Sequence, residues 1–494
     1  MRAKENEREK TVRLYELFGE YMDEYAMEWE RMERCEKLYR GEHWDEIPME
    51  DSREPRPVTP IVFSTIENIK ADLMDAMPAA VVTADEPKHA ELAGRLTRIV
   101  AENHAASHYE TEYARMLHDL LVCGMMVQET GFDMERNAGA GGAFIRHVDC
   151  RGIMFDPYCE DIQDSRAIFR FTPYRREWFA QRYPDKAPLM EADNYRLNRR
   201  REGFCEGGGD VILLIECWER EYDEATGAYC VHMFKLAGRV LLEDSRQVKP
   251  QGYYAHGRYP FVATALYRRK GTHLGFGLAD MFANQQQMSD KLDQIVLKNA
   301  LLASHNKLLV TGASGFDPDD LRDWAKEVHR GDSLTGVSWF STSPLPAYII
   351  DYIAAMRESI KEESGSNDFS RGNTAGGVTA AAAIAALQEM SGKRSRMISR
   401  SVHAAFEEAV NLELETEAEF SFIGEAAGGL PLGLKVSVRA HKANRFSVLS
   451  HNELVLNLVK LGMIAPDAGL ELLLFDGKEQ ALELTRGAKR GSAV

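Results

Sequence analysis

The sequence predicts an α+β protein whose two halves are organised differently, and three features carry that expectation. Apolar residues recur at steps of three and four near the N-terminus and through the second half, the period of a helix with one buried face. Short β-rich runs separated by Gly, Asp and Pro fill residues 127–171 and return at 211–236. With 494 residues, 44% of them hydrophobic, the chain can bury a substantial core and has the length of about three domain-sized units.

Near the N-terminus Leu14, Phe18, Tyr21, Tyr25, Trp29 and Met32 share one helical face among Glu, Lys and Arg, so this amphipathic helix needs a surface to pack against. The turn-like Tyr39-Arg40-Gly41-Glu42-His43-Trp44 follows, and then Pro48, Pro55, Pro57 and Pro60 interrupt regular structure by removing backbone donors. Residues 61–77 read as helix and Val81, Val82 and Thr83 as a short strand. Lys88 to Leu121 carries helical spacing through Leu92, Leu96, Ile99, Tyr109, Tyr113, Leu117 and Leu121. Ala143-Phe144-Ile145 and Ala167-Ile168-Phe169-Arg170-Phe171 read as strands, and Val211 to Trp218 with Tyr229 to Leu236 as a hairpin around Asp223 to Gly227. Residues 191–210, with Arg199-Arg200-Arg201 and Gly207-Gly208-Gly209, have the composition of an exposed loop.

In the second half Met281, Gln285, Met288, Leu292, Ile295, Asn299 and Leu302 alternate steps of four and three, a heptad-like seam on a helix from Leu278 to Ala303 about 39 Å long. A small module follows: a strand at Lys307 to Val310, a helix start at Asp317-Pro318-Asp319-Asp320 with acids at its positive end, and a strand at Gly336 to Phe340. Ile349, Tyr352, Ile353, Met356 and Ile360 mark a second helix, Ser364 to Gly377 a Gly-rich loop, and Thr379 to about Phe420 a third helix, Ala-rich at its start. Two long helices around a compact insert would each expose an apolar seam unless neighbouring subunits covered it, and ring assembly covers it.

The chemistry of an enzyme is poorly represented. Gly331-Asp332-Ser333-Leu334 spells an esterase signature, and a serine hydrolase using Ser333 is the alternative reading. No Asp-x-x-His follows Leu334, however, and a Ser without its base is a poor nucleophile. Gly275-Phe276-Gly277 lacks the third Gly of a dinucleotide loop, and no Gly-Lys-Ser/Thr phosphate loop occurs. His104 and His108 stand four apart without the Glu of His-Glu-x-x-His and read as a solvated helix face. Asp156, Glu160, Asp161 and Asp164 lack the ligand spacing of a calcium loop and read as a charged turn. Cys35, Cys123, Cys150, Cys159, Cys205, Cys217 and Cys230 form no CxxC pair, and with no secretory segment at the start they are expected to be reduced thiols, with no zinc. The longest uncharged run, residues 372–388, is too rich in Ala and Gly to span a membrane.

Lys plus Arg total 60 against 77 Asp plus Glu, a net charge of -17 and the wrong sign for a broad phosphate-gripping surface. Contact with nucleic acid should be loose or local. Lys393-Arg394-Ser395-Arg396 with Arg400 could touch DNA or pair with acids such as Glu407 and Glu408 across subunits, and the pattern does not distinguish the two.

From about Tyr39 to about Leu484 the chain resembles the portal proteins of tailed bacteriophages. The resemblance rests on an ordered series: a Tyr-x-Gly-x-x-Trp turn at Tyr39, Gly41 and Trp44, with His43 where Gln is common; Tyr259-Pro260-Phe261-Val262; Gly275-Phe276-Gly277 entering a long helix; the insert; the Gly-rich loop; the Ala-rich helix; and Leu461-Gly462-Met463-Ile464 near the end. It implies a portal fold with an α+β wing over 1–275 and stem helices at 276–303 and 345–363 flanking a small α/β clip at 304–344. A tunnel loop would occupy 364–378, a long wing helix 379–420, wing return strands 421–451 and a helical crown 452–494.

The resemblance also implies a non-enzymatic homo-oligomeric ring of about twelve subunits at one capsid vertex, closed by heterologous contacts. Its partners would be double-stranded DNA passing without sequence specificity, the terminase large subunit that hydrolyses ATP, scaffold and major capsid protein, and a tail adaptor or head-completion protein. No cofactor, metal or membrane is expected, and the protein would sit in the virion after assembly in the host bacterial cytoplasm. Met281, Met288, Leu292 and Ile295 would lie between stems, Asp317, Asp319 and Asp320 would meet partners at the clip, and Asn367, Ser370, Arg371, Asn373 and Thr374 would face DNA in the tunnel loop.

Overall fold

The computed structural model describes residues 7–45, 47, 54–191, 211–223, 227–304, 307–322, 328–332, 336–340, 345–364, 393–420, 433–440 and 445–473. Helix α1 (Glu7–Tyr39) buries the apolar face its spacing predicts, from Leu14 through Met32. The surface it packs against is a five-stranded antiparallel sheet in the order β4 (Ile153–Met154), β5 (Ala167–Arg175), β6 (Val211–Asp223), β7 (Ala228–Ala237), β8 (Val240–Asp244). Phe18 meets Phe169 edge to face at 5.5 Å, and Trp29 meets Phe171 at 5.8 Å. Each such ring contributes about 1.5–3 kcal/mol by leaving water, so one aromatic stripe suffices to dock the helix. The β6–β7 hairpin turns where Asp223 to Gly227 predicted it.

A second antiparallel sheet orders β3 (Gly142–Val148), β2 (Met125–Asp133) and β9 (Phe261–Ala265), and the short β10 (Tyr267–Arg268) pairs with β11 (Gly275–Phe276). The outer edge of β3 is closed by carboxylates instead of a further strand. Ala143 donates its N–H to Glu417 at 2.9 Å and His147 its N–H to Glu112 at 2.9 Å, which blunts an edge that could otherwise recruit another chain. Glu417 lies on α10 (Lys393–Phe420), the long helix that covers this sheet. The chain then returns as β14 (Leu434–Ala440), which pairs antiparallel with β1 (Pro78–Ala84), so Ala84 faces Leu434 across 350 residues of sequence.

The remaining helices among the described residues are α2 (Ile61–Met74), α3 (Ala90–Ala106), α4 (Tyr109–Val122), the short α5 (Arg136–Gly139) and α6 (Arg176–Arg182), α7 (Leu278–Ser304), α8 (Pro318–Arg322), α9 (Ala347–Ser364), α11 (Arg445–Lys460) and α12 (Pro466–Leu472). Two sequence expectations are corrected here. The helical stretch from Lys88 to Leu121 is two helices, because His108 adopts a left-handed φ of 51° between α3 and α4. The segment expected as return strands to residue 451 already turns helical at Arg445.

That break also separates the two histidines. His104 leaves the solvated face expected of it: its Nε2 lies 2.9 Å from Glu413 of α10, and its ring stacks on Tyr109 at 4.7 Å. Burial pushes the Cys35 and Cys217 thiols well above their usual range, so both are packing groups and not reactive thiolates. No helix among the described residues is long and apolar enough to cross a membrane.

A tight crossing positions the second half. Gly124 ends α4 with φ +89°, and a Cβ on Gly277 would stand 2.4 Å from the Val122 carbonyl. The Gly-Phe-Gly string is therefore a close approach of two backbones at the start of α7. Arg31 of α1 fixes the same corner, donating to Asp280 and to the Cys123 carbonyl.

Candidate functional site: the helix pair and its insert

Helices α7 and α9 run side by side with the insert between them, and α7 presents two faces of opposite character. Outward lie Met281, Met288, Ile295 and Leu302, with Met288 52% and Ile295 46% exposed and Leu292 half-buried. The spacing predicted this row. It is left uncovered in a single chain, as are Tyr348, Ile350 and Tyr352 on α9. Large apolar side chains gathered on neighbouring helices mark a surface meant to be covered.

Inward, α7 buries polar groups: Gln286, Ser289, Asp290 and Gln294. All but Ser289 clamp residues 54–62, an extended run and the first turn of α2. Gln286 Nε2 donates to the Thr59 carbonyl at 2.7 Å while its Oε1 accepts from the N–H groups of Ile61 at 3.2 Å and Val62 at 3.3 Å. Gln294 donates to the Pro55 carbonyl at 3.0 Å, and Lys298 reaches Glu54 at 2.5 Å. Asp290 is fully buried; it accepts from His43 Nδ1 at 2.6 Å, from Gln286 Nε2 at 3.1 Å and from the Thr59 N–H at 3.4 Å. The other His43 nitrogen faces the Leu38 carbonyl at 3.0 Å. Trp44 completes the turn by donating to the Pro57 carbonyl at 2.8 Å, with Lys291 over its ring at 5.5 Å.

The sequence reading missed this clamp because Gln286, Asp290 and Gln294 at steps of four look like a solvated helix face. A signal was present. A segment broken by Pro55, Pro57 and Pro60 has no strand ladder for its carbonyls, so buried side chains must satisfy them. The position where His43 departs from the commoner Gln is the one that meets Asp290.

Helix α9 lies against the flank between these faces. Arg357 bonds Asp293 at 2.5 Å and Ser289 Oγ at 3.5 Å, and Gln285 donates to Glu363 at 3.2 Å. In the insert, β12 (Lys307–Val310) and β13 (Val337–Phe340) form an antiparallel pair, as their apolar runs predicted. Asp317 caps the α8 turn by accepting the Asp319 N–H at 3.0 Å, Asp319 is exposed, and Asp320 is half-buried beside His329 at 3.4 Å. Asn367, Ser370, Arg371, Asn373 and Thr374 lie outside the described residues, as does Ser333. At the start of α10, Arg396 and Arg400 are exposed and Ser395 donates to Asp72 at 3.3 Å.

A family model described as phage P22-like portal protein matches residues 15–393, which takes in α1 from Tyr15, the five-stranded and three-stranded sheets, α7, the insert and α9. The chain belongs to the P22-like portal protein family. It is therefore a portal protein of bacteriophage type, a head-to-tail connector with a structural role in genome packaging. The family works as an oligomeric ring at the capsid portal vertex. The match begins within α1, earlier than the Tyr39 at which the sequence resemblance starts, and ends at the first residue of α10, so this portal protein's long returning helix and final helices lie beyond it. No curated protein matches the chain.

Proposed function

We propose that this chain forms a ring of about twelve subunits through which double-stranded DNA enters and leaves the capsid, with α7 and α9 as the stem and the insert as the clip. The observation that supports it most is the apolar row Met281, Met288, Ile295 and Leu302, uncovered in one chain, which a neighbouring stem would cover. Around a common axis, twelve copies of charge -17 give roughly -200 in total. Such a channel repels phosphate and lets a duplex slide with little sticking.

In this reading the ring nucleates head assembly with scaffold and major capsid protein and docks the terminase large subunit, and later a tail adaptor, through the clip. Asp319 presents an exposed carboxylate there, next to the capping Asp317 and Asp320. The tunnel loop would be residues 364–378, and its segment 366–376 would face the duplex: its polar groups would make brief phosphate contacts, and one Arg371 per subunit would add little grip to an acidic ring, so it would work as a valve against backsliding.

A packaging assay separates the two parts. Deleting residues 367–374 should leave procapsids intact but stall packaging or let packaged DNA leak. Asp319→Lys with Asp320→Lys should weaken terminase or adaptor binding without changing ring size. Full-length DNA retained by the deletion, or partner binding unaltered by the charge reversal across a salt titration, would refute the corresponding role.

A further inference from the structure

The uncovered flank of α7 has a chemically matched counterpart on the same chain. Going round α7, α9 holds Gln285, Ser289 and Asp293, the segment 54–62 holds Gln286, Asp290 and Gln294, and the row Met281–Met288–Ile295 stays open. The open row has a basic border on the side away from α9. Asn284, one turn from both Met281 and Met288, opens into a cleft of about 380 Å³ between α1 and α7 that is also lined by Arg34, Lys37 and Gln287. Arg34 is exposed, with no ion pair among the described residues, and the border continues down α7 through Lys291, which lies over Trp44, and Lys298, which already pairs with Glu54 at 2.5 Å. Glu42 and Asp280 also line the cleft, but Asp280 is engaged by Arg31 and Glu42 by Arg40 at 3.0 Å.

Helix α9 carries the opposite sign on its free side. Asp351, Glu358 and Glu362 fall at steps of seven and four, one exposed stripe, beside the exposed Tyr348 and Tyr352. Glu358 also meets Lys361 of its own helix at 3.2 Å.

The register between the two helices follows from contacts within one chain. Gln285 lies level with Glu363 and Asp293 level with Arg357, so the helices run antiparallel. Rotation about a ring axis leaves each residue's height along that axis unchanged, so a neighbouring copy presents its α9 to the open row of α7 in the same register. That sets the neighbour's Glu362 at the Arg34 cleft, its Glu358 at Lys291 and its Asp351 at Lys298, with the tyrosines over the apolar row.

We infer that the occupant of the open α7 flank is the acidic α9 stripe of a second copy of this chain, which makes the contact heterologous and fixes its register by charge. The inference rests on the ring proposed above and names the surfaces that close it. A pair of opposite surfaces, each used once per subunit, closes a ring where a self-complementary patch would stop at a dimer. The apolar row drives association and the charges choose the height.

The test uses the full chain carrying Lys291→Cys with Glu358→Cys. The two positions lie on opposite flanks of the α7–α9 pair within one subunit, so oxidation should join only different copies. The expected result is a ladder of covalent multiples on a denaturing gel, absent from the variants that carry only one of the two introduced cysteines beside the seven native ones. Separately, Glu358→Lys with Glu362→Lys should lower the fraction of rings at low salt, with Arg34→Glu and Lys291→Glu in the same chain restoring it. Rings from the unaltered chain with no ladder from the cysteine pair, or with rings unaffected by the charge reversal, would overturn this docking. An unaltered chain that forms no rings, its flank reserved for a different protein, would overturn the ring itself.

Discussion

Replacing Met288 and Ile295 together by Asp should abolish rings while leaving the single chain folded. Both side chains are about half exposed in the isolated subunit, so the fold makes little use of them, and surface changes of this kind alter stability by about 0.5 kcal/mol or less. In a ring the same positions would be sealed between stems. Two carboxylates would then be desolvated at every interface against the neighbour's tyrosines and acidic α9 stripe, at a cost of several kcal/mol each. Repeated round a closed ring, that cost exceeds what a marginal heterologous contact can offset. Sedimentation of the variant beside a far-ultraviolet circular dichroism spectrum checks both halves: a monomer with the parental helix signal is expected. Rings of parental size would remove the apolar row from the interface.

The second large effect is expected at Asp290, where substitution acts on the fold itself. Asp290→Ala removes the acceptor shared by His43, Gln286 and the Thr59 N–H, and leaves at least two buried donors without a partner. Breaking a buried, hydrogen-bonded pair by removing one member costs about 3–5 kcal/mol. Helix α7 should lose its hold on segment 54–62, seen as a lower urea midpoint and as fast amide exchange at Ile61 and Val62, whose N–H groups are held by Gln286. Asp290→Asn keeps one of the two acceptor oxygens at the site and should lose less. An Asp290→Ala protein with parental midpoint and protection would show that the clamp does not anchor the stem helix.

Much of this architecture was legible because burial writes a period into the chain. The aromatic stripe from Leu14 to Met32, the β6–β7 hairpin, the α7 row and the strands of the insert all follow from apolar spacing, which reports which face meets something apolar. The same rule hides polar burial. Gln286, Asp290 and Gln294 carry the periodicity of a wet face, and only the backbone of residues 54–62 opposite them reveals the need they satisfy. Glu417 and Glu112 likewise read as solvated acids, yet each closes an open N–H on β3, a role set by where a strand edge falls in space. The helix break at His108 did leave a mark that the apolar spacing hides: Tyr109 lies thirteen residues after Leu96, about 220° round an unbroken helix, so the buried face changes side at the left-handed residue. What covers the α7 row lies in another molecule, so one chain shows the exposure and not the occupant.

Electron micrographs of the purified full-length chain test the central claim most directly. The account predicts rings with a central channel, about twelve copies of the 55.7 kDa chain and thus roughly 670 kDa, with the α7–α9 pairs packed side by side around the channel. A population of monomers, or of dimers that do not close, at concentrations where portal-type rings assemble would contradict it.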